Sequence, residues 1–414
     1  MTGVRVVGAG LSGLTTAWRL TEAGITVDIV ESTQRPGGLI ETMSTPYGPV
    51  ERAANAFVWS PSVERLFRSL DLTPRFAGAA SRRRYIFRDG RPRRWPLRFG
   101  ETCALAWRAA VAMATGRSKP FGRETVVAWA NRAWGPAATR WLISPALQGL
   151  YAAPADELAA AAIVGGTAPM VGRRRPSTIA APAGGMSDLV NRLVEKLRER
   201  GTTFTFGARI DSLDPSIPTV VATSARAAAP LVQPHAPALA AALAALPMTT
   251  LGLATAVFPP HDGDVHGFGV LFPRGCGINA LGVRFDSDIF PVDTDRTWRT
   301  ETWIVRMDVT GAEPPDAGAW WRTVAADRRA LTGRSDEPVE VVTTFRPHAL
   351  PVYGSGVLDV RDRLAELPPW LALAGNYMGR LGASKLLDVA DDAAARLDRR
   401  LQAMSRRSAS AIPV

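Results

Sequence analysis

The sequence predicts an α/β protein in which both ends of the chain belong to one discontinuous domain. Residues 4–31 read as an apolar strand, a glycine turn, a helix and a second strand that ends on an acid. Near the other end, the buried strand Trp370–Ala374 runs into a glycine turn and a long helix from about Lys385 to Ala403. Alternating apolar runs between 249 and 344 predict an antiparallel sheet.

The first glycine turn has the spacing of a dinucleotide-binding site. Gly8 permits a sharp turn, Gly10 lets the backbone approach a pyrophosphate, and Gly13 lets the helix pack closely on the strand. The free N–H groups at the start of the helix attract phosphate. Glu31 ends the second strand, where a carboxylate can accept hydrogen bonds from a ribose hydroxyl. The alternative is an ordinary glycine turn that opens a βαβ unit.

A second glycine pair, Gly37 and Gly38, follows Arg35. This run resembles the extended fingerprint of flavoproteins with two dinucleotide-binding folds, and it favours FAD over NAD. We therefore expect a Rossmann-like FAD fold with a mixed-sheet substrate domain and a helical, membrane-facing domain.

The domain organisation is expected to be discontinuous. The predicted segments are an FAD-binding domain (1–60, 160–222 and 355–404), a helical basic domain (61–159), an antiparallel substrate-binding domain (223–354) and a disordered tail (405–414). In the FAD-binding domain we expect a helix at Ser187–Arg200 capped by Ser187, and strands at Thr203–Phe206 and Thr219–Ala222.

The basic excess of the chain is local. Between Arg82 and Trp141 there are 14 Lys or Arg residues and 3 acids, an excess equal to the net charge of +11 of the whole chain. Five tryptophans share this segment. Basic and tryptophan-rich character together indicate a membrane surface, an anionic substrate or both, and a solvated basic face is the alternative. The charge is accompanied by no nucleic-acid-binding motif, so we expect no nucleic-acid partner.

Composition also limits the class of protein. Two distant cysteines and four histidines without metal-ligand spacing predict no metal site and no disulfide framework. They favour a reducing compartment, and we expect a cytoplasmic protein, peripheral on the inner face of the membrane if the basic segment binds lipid. A run of 18 apolar residues, as a membrane span would need, does not occur.

Several further motifs occur in collinear order. They are Arg84–Gly90, Ile143–Ala152 followed by Glu157-Leu158, Gly184–Met186 with Leu189, Gly267–Arg274, Leu281–Ser287 with Phe290-Pro291, and Gly375–Gly379. Together they resemble the FAD-dependent protoporphyrinogen and coproporphyrinogen oxidase family of the flavin amine oxidase superfamily. The resemblance implies six-electron oxidation of a porphyrinogen with O2 as acceptor, in haem biosynthesis, and it implies no catalytic side chain.

The resemblance also assigns site residues. Arg84 is expected to anchor a propionate, Gly149 to lie at the substrate cavity, and Phe268 and Leu271 to sandwich the tetrapyrrole; ordinary core or surface positions are the alternative. The expected FAD-binding residues are Gly8, Ala9, Gly10, Leu11, Ser12, Gly13, Glu31, Ser32, Arg35, Gly37, Gly38, Asn55, Ile210, Gly375, Asn376, Leu381, Gly382 and Ala383.

The sequence departs from the family pattern beside the expected flavin. Ala53-Ala54 replace a Gly-Pro pair, and Arg380–Leu387 replace a Val-Pro-Asp-Cys-Ile pattern. Lys385 in the second stretch suggests a cation that stabilises reduced flavin, unless it points to solvent.

Three functions therefore stay open. The first is a porphyrinogen oxidase, the second a related amine oxidase or desaturase with another small substrate, and the third a non-catalytic flavoprotein. The expected partners are a porphyrinogen or another anionic apolar molecule, O2, a peripheral membrane surface and a second copy in a homodimer.

Overall fold

The computed structural model describes residues 3–164, 178–291, 298–307 and 316–410. The strands are β1 (Val4–Val7), β2 (Val27–Glu31), β3 (Thr42–Thr45), β4 (Gly48–Glu51), β5 (Phe57–Val58), β6 (Pro74–Phe76), β7 (Arg84–Arg88), β8 (Arg91–Arg93), β9 (Ile179–Pro182), β10 (Thr203–Phe206), β11 (Thr219–Val221), β12 (Met248–Phe258), β13 (Gly269–Leu271), β14 (Gly282–Phe285), β15 (Arg299–Met307), β16 (Glu340–Pro351) and β17 (Leu371–Leu373).

The helices are α1 (Leu11–Glu22), α2 (Pro61–Ser69), α3 (Phe99–Ala114), α4 (Val126–Ala133), α5 (Pro136–Ala138), α6 (Ser144–Tyr151), α7 (Ala160–Val164), α8 (Met186–Glu199), α9 (Ala225–Val232), α10 (Pro237–Ala244), α11 (Asp286–Ile289), α12 (Ala317–Thr332), α13 (Ser355–Asp362) and α14 (Ala383–Ser410). No helix in these ranges has the length and apolarity needed to cross a membrane.

A five-stranded parallel sheet joins the two ends of the chain, in the order β10-β2-β1-β11-β17. Alternate residues of its strands enter two different cores. Val6 and Val220 pack with α1, α8 and α14 on one face, whereas Val7 and Val221 pack with α9, α10 and α13 on the other. Both faces are therefore buried, as is usual for parallel sheets, and the α/β fold predicted from the sequence is confirmed.

Two details of this layer differ from the sequence-based expectation. Helix α8 begins at Met186, and Ser187 does not cap it. Instead the Ser187 hydroxyl accepts from the Thr42 N–H at 2.8 Å, while the Ser187 N–H donates to the Thr42 hydroxyl at 2.9 Å. The pair ties β3 to the start of α8. At the end of the chain, α14 extends to Ser410, and so enters the segment from Ser405 for which the sequence predicts disorder.

The second large sheet has seven strands in the order β16-β12-β15-β14-β13-β7-β8. The predicted alternating runs form β12 to β16, and these strands pair antiparallel with one another. However, β7 and β8 come from the segment expected to be helical, and β7 pairs parallel to β13. Likewise α9 and α10, from the segment assigned to the substrate domain, pack against the parallel sheet. Two smaller sheets, β3-β4 and β5-β9-β6, complete the described fold.

Candidate functional site

The first glycine turn is shaped by close backbone contacts. Gly8 has φ +105°, and a Cβ there would lie 2.9 Å from the Ala222 carbonyl oxygen. A Cβ on Gly13 would lie 1.9 Å from the Gly8 carbonyl oxygen. Gly10 differs, because its Cβ would meet only the Gly38 Cα, at 4.0 Å. Gly8 and Gly13 thus permit close packing, and Gly10 leaves open space in front of the turn.

The second glycine pair lies directly against this turn. The Gly37 N–H donates to the Ala9 carbonyl oxygen at 2.8 Å, and Gly10 and Gly37 form an isolated β-bridge. The Arg35 guanidinium donates to the carbonyl oxygens of Gly38 (2.9 Å) and Ile40 (3.1 Å). Arg35 therefore holds the loop in shape through its side chain.

The Glu31 carboxylate is fixed by its own neighbourhood. It accepts from the Ala9 N–H at 2.8 Å, from the Thr33 N–H at 2.9 Å and from the Thr33 hydroxyl at 2.8 Å, with the Ser32 hydroxyl at 3.3 Å. A carboxylate can accept about four hydrogen bonds, and only the Ala9 bond reaches Oε2. That oxygen keeps capacity for a ribose hydroxyl. Ile210 follows the strand beside Glu31 and is half-buried.

Two further observations test the fit of a dinucleotide. Among the described residues no side chain caps α1, and its first turn carries no acid, so the amides of Leu11, Ser12 and Gly13 stay available to an anion. The Asn55 Nδ2 is buried and has no partner among the described residues. An orphaned amide donor is costly to bury. Together with the open space at Gly10, these groups fit the pyrophosphate and flavin of FAD, which this set of residues would hold.

The last glycine turn is anchored from β16 and the residues after it. The Asn376 side chain donates to the Ala349 carbonyl oxygen at 3.1 Å, and the Tyr353 hydroxyl donates to the Asn376 carbonyl oxygen. The Tyr377 ring fills the space where a Gly375 Cβ would lie, at 2.4 Å. The sequence motifs did not single out Tyr353, because its contact with the loop spans 23 residues.

Helix α14 begins just after this turn. The Gly382 carbonyl oxygen accepts from the N–H groups of Lys385 (2.9 Å) and Leu386 (3.1 Å), and Gly382 has φ +103°. The predicted residues Leu381, Gly382 and Ala383 thus form the helix start. Lys385 Nζ lies 3.3 Å from Asp388 Oδ2 on the same helix, so the ammonium charge of Lys385 is paired with a carboxylate.

The four predicted substrate residues lie together where β7, β13 and α6 meet. Gly269 pairs with Arg84, and the Arg84 guanidinium carbon lies 4.6 Å from the Phe268 ring centroid. A Cβ on Gly149 would lie 2.4 Å from Leu271 Cδ2. Surrounding protein displaces water from the Arg84 guanidinium and lowers its pKa, although the side chain keeps access to solvent. The result is a wall with one cation, one aromatic ring and one aliphatic side chain.

A charge cluster that the motifs did not reveal adjoins the second glycine pair. Glu41 accepts from Arg346 at 2.6 Å and from Arg52 at 2.8 Å, and Arg35 lies 3.4 Å away. Burial opposes ionisation of Glu41, but the arginines outweigh it and lower its pKa. Arg52 follows β4 and Arg346 lies in β16, so the cluster connects the glycine loop to the seven-stranded sheet.

A cleft of about 760 Å³ lies elsewhere, between α9, α10 and His348. It contains none of the predicted site residues. The part of the chain described here also holds no group of histidine, cysteine and acidic side chains able to bind a metal.

Comparisons with known proteins identify the family of this chain. Residues 11–382 match the family described as flavin containing amine oxidoreductase. Coproporphyrinogen III oxidase of Mycobacterium leprae is 26% identical over 93% of this chain and 96% of its own. Protoporphyrinogen oxidase 1 of Arabidopsis thaliana chloroplasts is 23% identical over 94% and 86%. The solved cyclohexylamine oxidase of Brevibacterium oxydans superposes with a TM-score of 0.74 at 19% identity, over 97% and 99%. The chain therefore belongs to the flavin-containing amine oxidoreductase family and is an FAD-dependent oxidoreductase.

Proposed function

We propose that this oxidoreductase oxidises a porphyrinogen, either protoporphyrinogen IX or coproporphyrinogen III, with O2 as acceptor. The observation that carries the proposal is the wall formed by Arg84, Phe268, Leu271 and Gly149. The names of relatives that align over most of the chain support it.

The chemistry of the wall suits this substrate class. A porphyrinogen is a broad apolar macrocycle with carboxylates at its edge, so it needs apolar surfaces and a cation. Phe268 and Leu271 supply the surfaces. Arg84 stays charged at neutral pH in spite of its lowered pKa, and it can make a charge-assisted bond to a propionate.

The net reaction is a loss of hydrogen from the substrate. A porphyrinogen gives up six electrons and six protons to become a porphyrin, and three O2 are reduced to three H2O2. When bound, FAD supplies the redox chemistry of each two-electron step. The residues of this chain bind and orient the macrocycle beside it, and the proposal assigns no proton transfer to a side chain.

An assay with both porphyrinogens tests this function. The flavin-loaded protein is mixed anaerobically with each substrate, and flavin absorbance is followed; under air, porphyrin fluorescence and H2O2 are measured. We expect bleaching by at least one porphyrinogen and porphyrin formation in air. A flavin that neither substrate bleaches would overturn the proposal.

Arg84→Leu gives a sharper test of the wall. Loss of a charge-assisted bond is expected to raise KM for the porphyrinogen by about tenfold, with FAD content unchanged. Arg65→Leu is the matched control, because Arg65 is exposed on α2. Equal kinetics for the two variants would remove Arg84 from the site.

The second candidate function is an amine oxidase or a desaturase. The structural likeness to cyclohexylamine oxidase favours it, and so does the altered stretch Arg380–Leu387 around Ala383. The Arg84 charge argues against an ammonium substrate, because like charges repel. Flavin bleaching by cyclohexylamine, without bleaching by a porphyrinogen, would establish this candidate instead.

We propose further that helix α3 rests on an anionic membrane. Its exposed stripe is uncharged and consists of Phe99, Cys103, Ala106, Trp107, Ala110 and Met113. Phe99 is 86% exposed, Trp107 72% and Met113 63%, which is unusual for large apolar side chains. Leu105, Ala109 and Ala112 face the protein core instead.

The charges around α3 suit anionic lipid. The acids of this segment are paired: Asp89 with Arg93, Glu101 with Arg88, and Glu124 with Arg132. Arg94, Arg117 and Lys119 are exposed before and after α3. Basic residues around an aromatic and apolar face are typical of interfacial helices.

Co-sedimentation with vesicles tests the membrane proposal. Phosphatidylcholine vesicles with phosphatidylglycerol should bind the protein, and salt or removal of the anionic lipid should weaken binding. Phe99→Glu with Trp107→Glu should reduce binding by about tenfold or more, whereas Val339→Glu, at an exposed residue elsewhere, should not. Equal binding of all variants would refute it, and so would a homodimer, measured by light scattering, that Phe99→Glu with Trp107→Glu converts to a monomer.

A further inference from the structure

Tyr353 is buried where the segment after β16 meets the last glycine turn. Its side chain is fully buried, and its hydroxyl donates to the Asn376 carbonyl oxygen. Its own carbonyl oxygen accepts from the Ala159 N–H at 2.8 Å. The Asn376 side chain is held separately, by the Ala349 carbonyl oxygen at 3.1 Å. The backbone of Tyr353 is therefore fixed, and its side chain holds the turn through one hydrogen bond from its hydroxyl group.

This hydrogen bond determines the direction of the following amide, the Tyr377 N–H. The peptide bond between Asn376 and Tyr377 is trans, so its C=O and N–H groups point in opposite directions. Because Tyr353 holds the Asn376 carbonyl toward the core, the Tyr377 N–H points away from Tyr353. In the described ranges, the N–H groups of Gly375, Asn376 and Tyr377 have no hydrogen-bond acceptor.

These amides lie at the same edge of the sheet as the first glycine turn. Strands β1 and β17 flank β11 in parallel, so the residues after each strand emerge at one edge. The residues after β1 begin with Gly8, and those after β17 lead to Gly375. Unpaired successive amides at such an edge attract anions and polar oxygens.

We propose that Tyr353 is a positioning residue for FAD: its hydroxyl orients the Asn376–Tyr377 peptide so that the amides of the last glycine turn face the cofactor. The inference rests on the family's cofactor and not on the choice of substrate. Tyr353 does not touch the reacting atoms in this account; it acts through the backbone of the turn.

Tyr151 provides a matched control for this proposal. Its ring centroid lies 5.0 Å from that of Tyr353, and its side chain is also buried in the same core. Burial raises the pKa of both phenols, that of Tyr151 to about 12, so both are neutral at working pH. Only Tyr353 bonds to the turn.

The experiment compares Tyr353→Phe with Tyr151→Phe. FAD is titrated into each apoprotein, the Kd is obtained from flavin fluorescence, and the visible spectrum of the bound flavin is recorded. We expect Tyr353→Phe to raise the Kd for FAD on the order of tenfold, as for one lost hydrogen bond, with a shifted flavin spectrum. Tyr151→Phe should match the wild type in both.

The thermal midpoint of each apoprotein separates positioning from a general structural role. A lower midpoint for Tyr353→Phe with an unchanged Kd and spectrum would overturn the proposal. If that variant does not fold, hydrogen exchange on the wild-type protein decides: FAD should slow exchange in the peptide that contains Asn376 and Tyr377. Unchanged exchange on FAD binding would also overturn it. Failure of the porphyrinogen assay would leave these results unaffected.

Discussion

Gly13→Ala is expected to damage the nucleotide turn more than any neighbouring change of one methyl group. The new Cβ would lie 1.9 Å from the Gly8 carbonyl oxygen, whereas ordinary contacts begin at 3.4 Å. It would also lie 3.2 Å from the Ala222 Cβ. Because the obstacle is backbone, no rotamer change can relieve the clash, and α1 must move away from β1.

The magnitude follows from the cost of overpacking. Inserting a methyl group into a packed core costs about 1–3 kcal/mol, and a fixed backbone obstacle places Gly13→Ala near the upper value. We therefore expect the apoprotein to lose about 3 kcal/mol of unfolding free energy. Displacement of the α1 amides should also weaken FAD binding by at least about tenfold.

Two measurements check this reasoning: urea unfolding of the apoprotein and titration of FAD. Gly100→Ala is the matched control, since Gly100 lies in α3 and its Cβ would meet nothing within 4 Å. Alanine there should stabilise the protein by about 0.5 kcal/mol. A Gly13→Ala protein with wild-type stability and FAD affinity would refute the account of the turn.

Three other predictions follow from the same structure. Gly149→Ala should leave FAD binding intact, because the nearest atom to its Cβ, at 2.4 Å, is the Cδ2 end of the Leu271 side chain. The same change should raise KM for the porphyrinogen in steady-state kinetics, and an unchanged KM would exclude Gly149 from the substrate wall. The hydrogen bonds from Arg88 lower the pKa of Glu101 to about 2, so this pair stabilises the fold above pH 4.5 and loses its effect as the pH falls toward 2. Glu101→Gln should therefore cost about 1 kcal/mol at pH 7 in urea unfolding, with a smaller difference from the wild type at pH 3; a constant difference would contradict this. Lys385→Ala should leave the flavin midpoint potential unchanged, because an aspartate on the same helix matches the charge; a lowered potential would restore a role for Lys385 at the flavin.

Features encoded by local spacing could be predicted from the sequence. The glycine turn, its helix and the strand ending at Glu31 depend on residues close in the chain, and the structure contains them. The partners of Glu31 could not be predicted in the same way. Its carboxylate bonds to Ala9, which lies 22 residues earlier, and to Thr33, and nothing in a pattern of apolar residues indicates such contacts.

Features that depend on distant partners were missed or misassigned. The run from Arg84 to Arg93 is rich in arginine and lacks clear alternation, so it does not indicate a strand. It forms β7 because β13, far along the chain, supplies hydrogen-bond partners, and β8 then pairs with β7 across the Asp89-Gly90 turn. The sequence predicts Ser187 as a helix cap, but its hydroxyl oxygen accepts a hydrogen bond from the Thr42 N–H instead. In both cases, tertiary contacts override the local preference.

The strand order of the parallel sheet has a consequence for how the protein is made. Strand β11 lies between β1 and β17, so the sheet gains its last strand only after Leu373 has left the ribosome. Until then the edge of β11 is unpaired, and the apolar residues of α9 and α10 lack their contacts with the core that contains Leu371 and Leu373. Such a long-range pairing closes slowly and leaves an aggregation-prone surface exposed. Nascent chains truncated before Leu371 should therefore depend on chaperones and should not retain FAD.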